Sequence, residues 1–217
     1  MRGLQKPISY LITSGQTTAA TTSSSKDFRR ILQLITAAVA AKIDLIQVRE
    51  KALTTKVLYE LARSAAEITR SSATKLLVND RADVAAAAGA DGVHLTTQSL
   101  PAPVVRQSFG NDFLIGVSTH SLDEARVACD AGADFAVFGS VFETPSKARY
   151  GPPGGLERLK HVCSELKPFP ILAIGGVTEE NFADCLRAGA QGIAAIRMFD
   201  EPQRLPSILE KIREGFH

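Results

Sequence analysis

The sequence predicts a single-domain (β/α)8 barrel of the TIM type, residues 1–217, on three observations. Short β-branched runs alternate with helix-patterned stretches from end to end. Eight such pairs fit within 217 residues, a length at which α/β barrels form one unit and two ordinary α/β domains do not fit. A Gly-Ala-Asp or Gly-Ala-Gln motif recurs at helix ends immediately before a strand. An open eight-stranded sheet is the alternative; the compact length favours closure.

The strands read, in order, ISYLIT (8–13), DLIQVRE (44–50), KLLVN (75–79), GVHL (92–95), FLIGVS (113–118), FAVFGS (135–140), PILAIG (170–175) and GIAAIR (192–197). Many are apolar on both faces, as expected where helices cover one side and a core fills the other. The first is followed by SGQTTAATTSSSKD (14–27), a small-residue polar stretch expected to be a mobile loop on the active face, with Ser25 or Lys26 at the start of the first helix. DFRRILQLITAAVAAK, KVLYELARSAAEITR, LDEARVACDAG and EENFADCLRAG carry helical periodicity, and LPSILEKIREGF closes the alternation. Gly89-Ala90-Asp91, Gly132-Ala133-Asp134 and Gly189-Ala190-Gln191 each end a helix, where glycine takes the left-handed conformation. They belong to the barrel face away from chemistry, so Asp91 and Asp134 read as structural turn residues.

Net charge is +2 and the hydrophobic fraction 45%, which gives no case for nucleic acid or a membrane surface as partner. Cys129, Cys163 and Cys185 are odd in number and widely spaced, so they read as buried free thiols in a reducing compartment. The N-terminus lacks a signal pattern and no apolar run reaches the ~20 residues that span a bilayer. The expectation is a cytoplasmic protein. A homo-oligomer is compatible with the pattern, which does not separate an exposed apolar face from the core.

Chemistry in these barrels sits at the C-terminal ends of the strands. On strand two Gln47, Arg49 and Lys51 share one face, and cations projecting inward need an anionic partner; a solvated strand end is the bland reading. Strand three ends in Asn79-Asp80-Arg81, and strand five at Ser118, followed by Thr119 and His120. The long Gly/Pro loop 138–155 after strand six carries Thr144, Ser146 and Lys147, and loops of that length act as lids or binding loops. Gly175-Gly176 and Ile196-Arg197 match the barrel phosphate site after strands seven and eight. Arg49, Lys51, Lys147 and Arg197 thus converge from three segments on one rim, which points to a phosphorylated ligand. His94 reads as a hydrogen-bonded structural residue; His120, on a loop past a strand end, reads equally as a structural residue or as a group placed for proton transfer.

With QVREK (47–51), LVNDRADVA (77–85), GADGVHL (89–95), IGVSTHS (115–121), VFGSVFETPSK (137–147), AIGGV (173–177) and GIAAI (192–196) in this order, the chain resembles the thiamine phosphate synthase/TenI family over nearly its whole length. The resemblance implies a transferase joining a pyrimidine pyrophosphate to thiazole phosphate with release of pyrophosphate. It places Gln47, Arg49, Lys51 and Asn79 on the pyrimidine substrate, and Ser118 and Lys147 on pyrophosphate. Thr144 and Ser146 fall on the thiazole side, Gly176 and the backbone of Ile196 and Arg197 on its phosphate, and Asp80 on Mg²⁺. Two positions depart from the synthase pattern. Ser99 stands where a second metal-binding aspartate is usual, which weakens the case for Mg²⁺, and Arg197 replaces a serine. These changes and Phe142-Glu143-Thr144 lean toward a TenI-type tautomerase, metal-independent, with His120 as acid/base group. The intact Asn79-Asp80 pair and the QVREK strand lean toward the synthase. A non-catalytic binder of thiamine phosphates and an unrelated sugar-phosphate barrel enzyme stay open at this stage.

Overall fold

The computed structural model describes residues 7–96, 98–144 and 154–215. Eight parallel strands close into a barrel in chain order, with β1 (Ile8–Ile12) hydrogen-bonded to both β2 (Leu45–Val48) and β8 (Gly192–Ala195). Between these lie β3 (Lys75–Asn79), β4 (Gly92–Leu95), β5 (Leu114–Thr119), β6 (Phe135–Phe138) and β7 (Ile171–Ala173). The helices are α1 (Lys26–Ala40), α2 (Thr55–Thr69), α3 (Ala82–Ala88), α4 (Ala102–Phe109), α5 (Leu122–Asp130), α6 (Gly155–Glu165), α7 (Phe182–Arg187) and α8 (Leu205–Glu214). No helix among the described residues is long and apolar enough to cross a membrane.

Strand parity divides the core in two. Ile8, Tyr10, Ile12, Leu45, Leu77, Phe135, Val137, Leu172 and Ala194 fill the barrel interior. The alternate residues, such as Leu11, Ile46, Val78, Ile115 and Ile193, pack outward against the helices. The helices meet that layer with apolar stripes at i, i+3, i+4 spacing, Phe28, Ile31, Leu34, Ile35 and Ala38 in α1 being the longest. Ser25 is the N-cap of α1, as expected. Gly116 faces inward: a Cβ there would lie 2.4 Å from the Phe135 ring and 2.8 Å from His94 Nδ1, so its absence lets two rings pack across the barrel.

The Gly-Ala-Asp motifs do close their helices, with Gly89, Gly132 and Gly189 at φ +75°, +79° and +100°. The acids that follow are structural. Asp91 accepts from Leu76 N (2.9 Å) and Lys75 Nζ (2.8 Å), and Asp134 from Ile115 N (2.7 Å) and Arg106 Nη2 (2.8 Å). A fourth copy carries no glycine: Lys42-Ile43-Asp44 ends α1 with Lys42 at φ +61°, and Asp44 accepts from Ser9 N at 2.9 Å. Each acid entering an even strand therefore ties down the odd strand before it. Lys42 is exposed and in a conformation that costs a side chain about 1–2 kcal/mol. Lys42→Gly is expected to stabilise the fold by about 0.5–1 kcal/mol after glycine's larger entropy loss, read as a higher urea midpoint with an unchanged slope.

Two expectations need correction. Stretch 14–27 is anchored rather than loose: buried Glu50 accepts from Gly15 N (3.2 Å), Thr17 N (3.4 Å) and Thr17 Oγ1 (2.7 Å), and Thr17 and Thr21 are buried. A polar composition hides the single buried carboxylate that orders it. Several strands also stop short of the apolar runs, β2 at Val48 rather than residue 50 and β8 at Ala195 rather than 197. Past those points the chain leaves the sheet ladder, and the site residues sit there. Cys163 and Cys185 are buried and free; Cys129 is free but only half-buried.

Candidate active site

The inward positions at the C-terminal end of the barrel are polar where the rest of the interior is not. Gln47, Asn79 and His94 are buried there and Ser118 is half-buried. Gln47, His94 and Ser118 are linked into one chain through Tyr10 of β1, and Asn79 stands outside it. Gln47 Nε2 donates to the Tyr10 hydroxyl at 2.8 Å, and the hydroxyl lies 3.2 Å from His94 Nδ1. His94 Nε2 lies 2.8 Å from Ser118 Oγ. Burial pushes the Tyr10 phenol well above its ordinary value, only partly offset by the Gln47 hydrogen bond, so it stays protonated. Burial also pushes His94 down to about 3, more than the Asp80 charge restores, and Arg49 adds to the fall; the ring is neutral at physiological pH.

Above this layer lies a charged rim. Arg49 is half-buried, its N–H held by Thr13 Oγ1 at 2.8 Å and its guanidinium beside Gly15. Among the described residues no carboxylate pairs with it. Lys51 is exposed with Nζ 4.0 Å from Asp80 Oδ2. Asp80 itself sits at φ +60° and collects donors: Thr96 Oγ1 (2.9 Å) and Ser99 Oγ on one oxygen, Asn79 Nδ2 (2.5 Å) on the other. Burial opposes its charge, but Ser99, Thr96, Lys51 and Asn79 together hold the carboxyl below the usual range. Asn79 Oδ1, by contrast, is buried and accepts nothing. A buried acceptor without a partner costs about 1–3 kcal/mol, so this atom marks where a ligand donor fits.

On the opposite side, Gly175 and Gly176 turn away from β7 with φ +94° and +66°. The segment after β6 is stitched over them by Val141 N→Ile174 O and Phe142 N→Gly175 O, both 2.9 Å. The Gly176 carbonyl accepts from Asn181 Nδ2 at 2.9 Å. The amide N–H groups of both glycines have no acceptor among the described residues, and the buried Ser140 hydroxyl beside Gly175 has none either. Unsatisfied donors next to a strand end are suited to an anion.

The sequence profile of the thiamine monophosphate synthase family matches residues 17–199. This chain belongs to that family. It is 45% identical to a putative thiamine-phosphate synthase of Geobacter sulfurreducens over 168 residues, 77% of this chain and 78% of that one. It is 36% identical to the thiamine-phosphate synthase of Natronomonas pharaonis over 211 residues, 95% and 94% of the two chains. The structure resembles thiamine phosphate pyrophosphorylase from Pyrococcus furiosus with a TM-score of 0.82 at 29% identity, covering 98% of each chain.

The family resemblance thus carries fold and membership together, while the site residues stand on their geometry. Gln47, Arg49, Lys51, Asn79, Asp80 and Ser118 come together around one half of the mouth. Gly175 and Gly176 form the other half with Ile196, which precedes a short 3-10 turn, Arg197–Phe199. Arg197 is exposed and Thr144 half-buried. Ser146 and Lys147 lie outside the described residues. His120 follows β5 on the surface with Nδ1 3.3 Å from Glu124 Oε2, and its N–H donates to the same carboxylate at 2.6 Å. Three contributors escaped the sequence reading: Tyr10, Ser140 and the anchor Glu50. Tyr10 had one available signal, since it shares inward parity with Ile8 and Ile12. Ser140 and Glu50 had none, because polar residues past strand ends ordinarily read as solvated.

Proposed function

We propose that this chain is a thiamine phosphate synthase, a transferase that joins hydroxymethylpyrimidine pyrophosphate to thiazole phosphate and releases pyrophosphate. Beyond family membership, one observation supports this reading most: among the described residues, the Arg49 guanidinium meets no carboxylate and the buried acceptor Asn79 Oδ1 has no donor, both at the C-terminal ends of adjacent strands. A ligand that answers both carries an anion and an N–H donor, as an aminopyrimidine bearing a pyrophosphate does.

The reaction needs the C–O bond to pyrophosphate to break, giving a pyrimidine-methyl cation that the thiazole nitrogen then captures. Stabilising the leaving group is the main demand. Arg49, Lys51, Lys147 and the Ser118 hydroxyl hold the leaving pyrophosphate, while Gln47 and Asn79 orient the pyrimidine. Gly175 and Gly176 N–H groups, the Ser140 hydroxyl and the backbone of Ile196 and Arg197 hold the thiazole phosphate, with Thr144 and Ser146 on its thiazole side. Holding both partners in one mouth makes capture effectively unimolecular.

Mg²⁺ is compatible with this site. It keeps several waters and takes one or two carboxylates together with substrate phosphates, and Asp80 is an ionised carboxylate at the rim. Bound there, the ion would neutralise charge on pyrophosphate. Ser99 adds no charge and instead donates to Asp80, so the metal site is a weak one. Ser99→Asp is expected to lower the Mg²⁺ concentration for half-maximal rate on the order of tenfold, measured by metal titration at saturating substrates; an unchanged midpoint would sink the single-carboxylate reading.

The direct test is formation of thiamine phosphate from the two substrates with and without Mg²⁺. Metal-dependent product is expected. A folded protein that makes none, but tautomerises the carboxylated thiazole phosphate and loses that activity in His120→Ala, would replace this reading with the tautomerase.

A further inference from the structure

We propose that Tyr10 and His94 form a hydrogen-bond relay that fixes the Ser118 hydroxyl as a donor toward the barrel mouth, which makes both of them positioning residues for the leaving anion. Taking that anion as pyrophosphate rests on the function proposed above; the polarity of the relay does not.

The argument is a count of protons. A phenol has one proton and its oxygen can also accept. Tyr10 Oη accepts from Gln47 Nε2, so its proton goes to the other polar neighbour, His94 Nδ1. Nδ1 is then an acceptor, and the single ring proton of a neutral imidazole sits on Nε2. Nε2–H donates to Ser118 Oγ. Having accepted from the ring, Ser118 must turn its own proton elsewhere, and among the described residues nothing else meets that hydroxyl. It therefore faces the open end as a donor. A proton on Nδ1 would aim an N–H at a phenol oxygen already accepting from Gln47. The phenol's own proton would then meet the N–H side of the amide. That reversed chain would also turn Ser118 lone pairs toward an anion.

The rings hold the relay rigid. Tyr10 packs edge-on to Phe135 at 5.6 Å between centroids, and His94 lies 5.8 Å from Tyr10 and 6.2 Å from Phe135. Gly116 provides the space this needs. A donor oriented before the anion forms needs no reorganisation during the reaction. A purely structural buried chain would satisfy its members and end in the core. This one ends on a half-buried hydroxyl at a strand terminus.

The test is the histidine tautomer in ¹⁵N-labelled ligand-free protein, read from long-range ¹H–¹⁵N couplings, with His94 assigned by its loss in His94→Gln. The expected result is a proton on Nε2 alone; a proton on Nδ1 overturns the proposal without any variant needing to fold. Tyr10→Phe should then give a tautomer mixture at His94 and lower kcat about tenfold, with KM for thiazole phosphate unchanged. A fall in kcat with His94 still wholly Nε2-protonated, or a lost tautomer preference with kcat unchanged, also overturns it. If the wild-type protein makes no thiamine phosphate, the assigned reaction fails, and the tautomer, which needs no substrate, decides the relay by itself.

Discussion

Replacing Arg49 with glutamine is expected to lower kcat/KM for the pyrimidine pyrophosphate by about 10³. The guanidinium is half-buried and meets no carboxylate among the described residues, so it is held ready for an incoming anion rather than occupied with the fold. Its backbone is fixed independently, by Thr13 Oγ1 on its own N–H and by the buried Glu50 that follows. The variant should therefore keep its structure and lose only the charge and the forked donor. Arg49→Lys restores the charge but not the fork and should recover part of the loss, about tenfold. Steady-state kinetics with each substrate varied in turn, alongside circular dichroism, checks this. A loss below threefold in Arg49→Gln would remove Arg49 from the anion site. An equal rise in KM for both substrates would instead point to a general loosening of the mouth.

The barrel was legible because a strand buried on both sides and a striped helix leave different periodicities, and eight alternations admit few closed arrangements. The left-handed helix ends were legible only where glycine announces them. Lys42 adopts the same conformation unannounced, and Asp44 then does for β1 what Asp91 and Asp134 do for β3 and β5. The candidate site was legible as a set of residue types at strand ends, but not as connections. Ser99 shows the difference. As a residue it is a missing carboxylate; in place, its hydroxyl supports the carboxylate that remains. His94 reads from sequence as a satisfied structural histidine, and it is hydrogen-bonded at both nitrogens, yet one of those bonds reaches a hydroxyl at the mouth. Periodicity assigns each residue to a face; which atoms across the barrel it meets depends on register between strands, and no local pattern encodes that.

The two halves of the mouth can be separated experimentally through Gly176. An alanine there meets two penalties. At φ +66° the backbone itself is strained by about 1 kcal/mol. Its Cβ would also lie 2.5 Å from the Glu143 carbonyl oxygen and 2.7 Å from the Phe142 Cβ, so the segment stitched over the glycines must move. That segment includes Ser140 and leads to Thr144, both assigned to the thiazole phosphate side. Gly176→Ala should raise KM for thiazole phosphate by about 100-fold, equivalent to roughly 3 kcal/mol, and leave KM for the pyrimidine pyrophosphate within about threefold. Gly89→Ala is the matched control: its φ of +75° imposes similar strain, but a Cβ there meets nothing within 4 Å. It should cost about 1 kcal/mol of stability and change neither KM. A Gly176→Ala enzyme with unaltered KM for thiazole phosphate would show that this turn does not hold the phosphate. Parallel rises in both KM values would show instead that the two halves yield together. The asymmetric result is the expected one, because the displaced segment is bonded to the turn that follows β7, on the other side of the barrel from Arg49 and Asn79.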